Sequence, residues 1–136
     1  MVSARDAPLP LPVVLDTSAL AAYLRHEQGH EAVEGVLEGA LVCTANIAEV
    51  IGVLMRRGVN AAKARQTVAD LAIVSVPFDL ELALRAGEME APTRSTGLSL
   101  GDRACLALAE LRGAEAWTAD RRWLDAQLPI RIRLIR

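Results

Sequence analysis

Short runs of β-branched and other apolar residues recur at positions 12–15, 40–43, 73–76, 115–118 and 130–135, and they read as strands. Apolar positions at helical spacing fill every interval between them except the last. After the first strand, Ala19 to Arg25 and Glu31 to Leu37 form a helical pair. Thr44 is placed to cap a helix reaching about Arg57, and Asn60 one reaching about Leu71. Asp79 can cap a helix that begins at Leu80, and Ser99 one that ends near Arg112, where Gly113 stops it. Strands alternating with helices imply an α/β fold, a mainly parallel central sheet flanked by helices on both faces. In such sheets, sites form beyond the carboxyl ends of strands.

Residues 1–11 carry Pro8 and Pro10 and read as a short flexible N-terminal arm, while 12–136 form a single domain without linker or low-complexity segment. The chain of 136 residues is long enough to bury most of its apolar surface. It is 52% hydrophobic but only 3% aromatic, so the core is built from Ala, Leu, Val and Ile. The prolines and Asp6 near the start exclude both a signal peptide and a membrane span there, and a cytoplasmic setting is expected. Cys43 and Cys105 sit in apolar runs and read as buried thiols, with no disulfide framework or zinc spacing.

Four acidic residues stand at element boundaries: Asp16 and Asp120 just past strands, Glu49 and Asp102 near the starts of helices. Each has an ordinary structural explanation. Asp16, in Asp16-Thr17-Ser18, suits a cap or turn, although Thr17 or Ser18 could cap the helix instead. Glu49 is the lone charge between Thr44 and Met55, yet the stripe Ile47, Val50, Ile51 and Leu54 lies nearly opposite it, so it can simply face solvent. Ser99-Leu100-Gly101-Asp102 has the form of a capping box, and Thr118-Ala119-Asp120 that of a strand-ending turn. Taken together, four carboxylates in one pocket would repel one another unless a cation compensated them, and oxygen-only ligation favours Mg²⁺ or Mn²⁺ over Zn²⁺.

A competing motif is His26-Glu27-Gln28-Gly29-His30, which matches the two-histidine zinc protease pattern. Gly29 interrupts the helix that pattern requires, and no third histidine exists to complete the site, so the segment reads instead as a polar turn between two helices. With 15 basic and 17 acidic residues the net charge is −2, which argues against a general electrostatic grip on nucleic acid. A local patch stays open. Lys63 is the single lysine, and Arg94, Arg103 and Arg121 flank the acidic positions, where guanidinium groups suit phosphate unless they are ordinary solvated arginines.

Four segments resemble PIN-domain ribonucleases, in particular VapC-like toxins of type II toxin–antitoxin systems: Val14 to Leu20, Asn46 to Val50, Leu98 to Ala107 and Trp117 to Trp123. The resemblance covers nearly the whole chain from Val13 and implies a single PIN-like domain. It implies that Asp16, Glu49, Asp102 and Asp120 bind Mg²⁺ or Mn²⁺, with Ser18 and Thr118 supporting the catalytic site. The implied reaction is endoribonucleolytic: a metal-activated water hydrolyses an RNA phosphodiester to leave a 5′-phosphate and a 3′-hydroxyl. A homodimer, inhibited by a cognate antitoxin lying across the site, is the implied assembly. A noncatalytic α/β binding module, with the carboxylates serving as caps, is the remaining alternative. The proline-containing arm departs from the family pattern.

Overall fold

The computed structural model describes residues 10–136, so most of the expected N-terminal arm, 1–9, lies outside the described residues. The order along the chain is β1 (Val13–Leu15), α1 (Thr17–Leu24), α2 (His30–Glu34), β2 (Leu41–Cys43), α3 (Thr44–Arg56), α4 (Ala61–Ala69) and β3 (Val74–Val76). Then come α5 (Leu80–Glu88), α6 (Glu90–Thr93), a 3-10 turn (Arg94–Thr96), α7 (Leu100–Arg112), β4 (Glu115–Thr118), a second 3-10 turn (Arg121–Asp125) and β5 (Ile132–Leu134). The five strands form one sheet in the order β3-β2-β1-β4-β5. All four pairings are parallel, so the expected mainly parallel α/β sheet is parallel throughout.

Alternation along the short strands sends side chains to two cores. Val14 and Ala116 face a cluster built with Leu82, Met89 and Leu106 from α5, its end and α7, while their neighbours Leu15 and Trp117 face one built with Leu20, Val50 and Ala64 from α1, α3 and α4. Gly101 and every residue from Ala104 to Ala109 are buried, so α7 is an interior helix. The small side chains among them let it lie close to the sheet.

The capping residues explain most element starts. Asn60, Asp79 and Ser99 each accept a backbone N–H from the residue three further on, and Gly113 ends α7 at φ +58°. Two local expectations are corrected. Thr44 does not cap α3; its hydroxyl instead accepts the Phe78 N–H at 2.9 Å and so ties α3 to the end of β3. Nor do Thr17 or Ser18 cap α1, because Asp16 fills that place by accepting the Ala19 N–H. The polar turn expected at His26–His30 is present: His26 has φ +53°, Gly29 precedes α2 at φ +96°, and the single helix required by the zinc motif is absent.

β1 is the switch point of the sheet, since the chain leaves it toward β2 and β3 on one side and returns to β4 and β5 on the other. The crevice between the carboxyl ends of β1 and β4 is where such folds place ligands. Trp123, in the turn that follows β4, is fully buried in the core cluster on the α7 side of the sheet and so anchors that turn. Trp123→Ala is expected to destabilise the fold by about 3–5 kcal/mol, measured by urea unfolding.

Candidate active site

Parallel register sets Leu15 beside Trp117, and the Asp16 N–H donates to the Trp117 carbonyl at 3.1 Å. Asp16 is therefore carried to the carboxyl edge of the sheet beside Thr118, and it is only 2% exposed. Its Oδ1 accepts the Ala19 N–H and the Ser18 hydroxyl, both at 2.7 Å, while Oδ2 accepts the Thr118 hydroxyl at 2.6 Å and is 2.9 Å from Ser18 Oγ. Ser18 in turn accepts the Ala119 N–H, and Thr118 Oγ1 accepts the Asp120 N–H. The two hydroxyl residues singled out in the sequence thus hold Asp16 and shape the loop that carries Asp120.

Burial pushes the Asp16 carboxyl up to about 7. Hydrogen bonds from Thr118, Ala19 and Ser18 oppose that rise, and the negative charge of Asp102 adds to it. Asp102 lies in the first turn of α7, and burial raises its pKa too, with Asp120 and Glu49 adding like-charge repulsion against the lowering effect of Ser99. Asp102 is thus the common neighbour: its charge is felt at Asp16, and it feels those of Asp120 and Glu49. The structure brings all four carboxylates to one end of the sheet.

Each carboxylate also has its own donor. Glu49 Oε1 accepts the Thr17 hydroxyl at 2.7 Å and lies 3.3 Å from Asn46 Nδ2. Asp102 completes the capping box, accepting the Ser99 N–H at 2.9 Å. Asp120 turns to Arg122, whose guanidinium pairs with it at 2.6 Å and holds its pKa below the usual carboxylate value. With each anion turned to a local partner, no group of three or more acidic, histidine or cysteine side chains among the described residues is drawn together closely enough to hold an ion.

Two residues carry roles that the motif reading did not assign. Asn46 is 1% exposed, and its Nδ2 also reaches Thr17 Oγ1 and the Gly101 carbonyl, both at 3.1 Å, so it joins α1, α3 and α7 beside Glu49. A polar residue three positions before Glu49, in an otherwise apolar helix, was the available signal. Gly101 is the second: a Cβ added there would fall on the Glu49 carboxylate, 2.6 Å from its Cδ. The glycine lets Glu49 lie against the first turn of α7. Of the flanking arginines, Arg94 pairs with Glu90, and Arg103 donates to the Ala86 carbonyl. Arg122 rather than Arg121 meets the acidic group.

The donor set fits a hard divalent cation. All four groups are carboxylates, the most buried has no cationic partner, and Asn46 Oδ1 is a further buried acceptor without a hydrogen bond beside Glu49.

The PIN domain family model matches residues 13–127, and the chain belongs to that family. Three solved structures show the same fold. VapC20 of Mycobacterium tuberculosis, described as a Sarcin-Ricin loop cleaving toxin, is 16% identical with a TM-score of 0.69, over 88% of this chain and 98% of that one. A toxin–antitoxin complex from Klebsiella pneumoniae is 17% identical with a TM-score of 0.71, over 91% and 98%. DNA-bound VapBC from Salmonella typhimurium is 16% identical with a TM-score of 0.71, over 93% and 99%. No curated protein sequence matches the chain significantly.

Asp16 has a raised folded-state pKa, so its contribution to stability is full below the unfolded value of 3.8 and is lost as pH rises toward about 7. The metal-free protein is expected to lose thermal stability between about pH 4 and pH 7, a tenfold difference in proton affinity being worth about 1.4 kcal/mol. Asp16→Asn is expected to flatten that dependence in a pH series of melting curves.

Proposed function

We propose that this protein is a metal-dependent endoribonuclease of the toxin class, acting on RNA phosphodiester bonds through the carboxylate cluster at the end of β1 and β4. The observation that carries the reading is the burial of Asp16 with no cationic partner, next to Asp102, which also feels Glu49 and Asp120. Asp16, Glu49, Asp102 and Asp120 are the residues that would hold Mg²⁺ or Mn²⁺. When bound, such an ion would lower the pKa of a water and stabilise charge on phosphate oxygens.

The chain's own groups prepare that site. Ser18 and Thr118 fix both oxygens of Asp16, Thr17 and Asn46 orient Glu49, and Ser99 holds Asp102 through the α7 cap. His26 and His30 lie together on a different surface with Tyr23, Thr67 and Asp70, which leaves the cluster without an acid–base histidine. Products with a 5′-phosphate and a 3′-hydroxyl are therefore expected. Single-stranded or loop RNA suits the site, because its phosphates can reach a crevice between loops.

Residues 12–136 form the nuclease domain in this reading. The toxin–antitoxin complexes of the same fold support an antitoxin partner, and a homodimer is part of the proposal. Exposed Leu80, Leu84 and Leu111 supply apolar surface for protein contact. No helix among the described residues is long and apolar enough to cross a membrane, and a cytoplasmic site of action is part of the proposal.

A second reading, a noncatalytic α/β module, is favoured by one observation: Asp16, Asp102 and Asp120 all accept backbone N–H groups as caps or turn residues. The two readings separate in mutants. If the carboxylates are only caps, replacing Asp102 with Ala lowers stability by about 1 kcal/mol and no activity is at stake.

Incubation with a panel of structured RNAs in Mg²⁺, Mn²⁺ or EDTA, followed by end-group analysis, tests the nuclease reading. Cleavage is expected only with metal, and Asp16→Asn is expected to lower it by about 100-fold or more while the domain stays folded. Cleavage that persists in EDTA or in that variant would refute it. Gly101→Ala is expected to displace the flexible Glu49 carboxylate and reduce cleavage by about tenfold or more, with a much smaller effect on the melting temperature.

A further inference from the structure

Arg122 begins two residues after Asp120, in the turn Arg121–Asp125, and folds back over it. Its backbone N–H donates to Asp120 Oδ1 at 3.0 Å. The guanidinium Nε is 3.0 and 3.1 Å from the two carboxylate oxygens, and Nη2 donates to Oδ2 at 2.6 Å. On its other edge, Nη1 reaches the Gly97 carbonyl at 3.4 Å. Arg122 therefore bridges the loop after β4 and the loop that leads into Ser99 and Asp102. Gly97 leaves it room: this residue has φ +69°, and a Cβ there would stand 3.3 Å from Nη1.

Three features separate this contact from an ordinary ion pair. Its carboxylate is one of the four acidic groups, and the negative charge of Asp102 is also felt at Arg122, so the guanidinium faces more than one anion. Of the other arginines that flank the acidic positions, Arg94 is committed to Glu90 and Arg103 to the Ala86 carbonyl. The Arg122 side chain is 57% exposed and reaches solvent. Exposed ion pairs contribute little to stability, so this one can be exchanged for stronger contacts. A freed guanidinium offers paired donors that match a phosphate.

We propose that Arg122 is an exchangeable counter-cation: it holds Asp120 until a divalent ion takes that carboxylate, and its freed guanidinium then binds an RNA phosphate entering between Gly97 and Asp120. This deepens the nuclease reading and rests on it. Arg122 thereby links metal loading to substrate capture. A resident positive charge lowers the affinity of the empty cluster for metal, and the same charge adds to affinity for RNA once metal is bound.

The test is calorimetric titration of Mn²⁺ into wild type, Arg122→Gln and Arg122→Lys at fixed ionic strength, with steady-state cleavage of a single-stranded RNA oligonucleotide over a salt series. Arg122→Gln is expected to bind Mn²⁺ severalfold more tightly and to raise KM for RNA about tenfold, the loss falling on KM more than on kcat. The dependence of log KM on log salt is expected to fall by about 0.7 for the one lost phosphate contact. Arg122→Lys keeps the charge, so it should keep the salt dependence and show an intermediate KM. Unchanged or weaker Mn²⁺ binding in Arg122→Gln, with KM as in wild type, would show a structural tie only and overturn the proposal. If Arg122→Gln does not fold, a wild-type KM in Arg122→Lys overturns it. Asp16→Asn serves as the control on the underlying reading: if it retains Mn²⁺ binding and cleavage, the metal-dependent nuclease itself is refuted, independently of Arg122.

Discussion

A carboxylate buried at the end of the central strand constrains everything around it. Asp16 is fixed to the sheet by its own backbone N–H, which donates to the Trp117 carbonyl, and its carboxylate accepts two hydroxyl groups and an N–H of the first turn of α1, all neutral donors. Neutral donors orient an anion without cancelling its charge, and burial accordingly pushes its pKa up to about 7. The capping box that Asp102 completes at the start of α7 also brings its charge within electrostatic reach of Asp16. Stability is lowered locally where a cation would restore it.

The surrounding polar contacts follow from that conflict. Asp16 is held in place because its backbone is part of the sheet edge and three donors orient its carboxylate, which leaves about one lone-pair site open for a cation. Asp102, Glu49 and Asp120 are each secured by a donor from their own neighbourhood: the Ser99 cap, Thr17 with Asn46, and Arg122. Glu49 is held by side chains, and Asp120 by the Arg122 guanidinium as well as that residue's backbone N–H, so the side-chain contacts are the ones that can rearrange. The rigid part of the site is thus its buried floor, and the adjustable part is its rim. Gly101 marks the meeting of the two, where the absence of a Cβ lets the Glu49 carboxylate lie against α7.

Much of this was legible in the sequence because local chemistry decides it. The strand run at 115–118 matches β4 residue for residue, and Asn60, Asp79, Ser99 and Gly113 act at the helix ends where their side chains or φ angles suit them. Asp16 and Asp120 were visible as residues past strand ends. What was hidden depends on tertiary approach. The short α6, Glu90–Thr93, contains Pro92 and spans barely one turn, so it shows no periodicity. Glu49 lies away from the apolar stripe of α3, and only the arrival of Gly101 and Thr17 from other elements makes that side a site. Which of the consecutive Arg121 and Arg122 folds back on Asp120 is set by the 3-10 turn, which the sequence pattern did not reveal. Thr44 looked like a cap and instead joins α3 to the loop after β3, a choice made by packing.

The charge conflict at Asp16 is most directly tested by titrating Mg²⁺ or Mn²⁺ into the metal-free protein near pH 6.5, in buffers of different ionisation enthalpy, to count the protons released. A carboxyl whose pKa lies near 7 is largely protonated at that pH and must lose its proton to ligate a cation. Binding accompanied by release of about half a proton or more, abolished in Asp16→Asn, is the predicted result. Metal binding with no proton release, or binding that Asp16→Asn leaves intact, would contradict it.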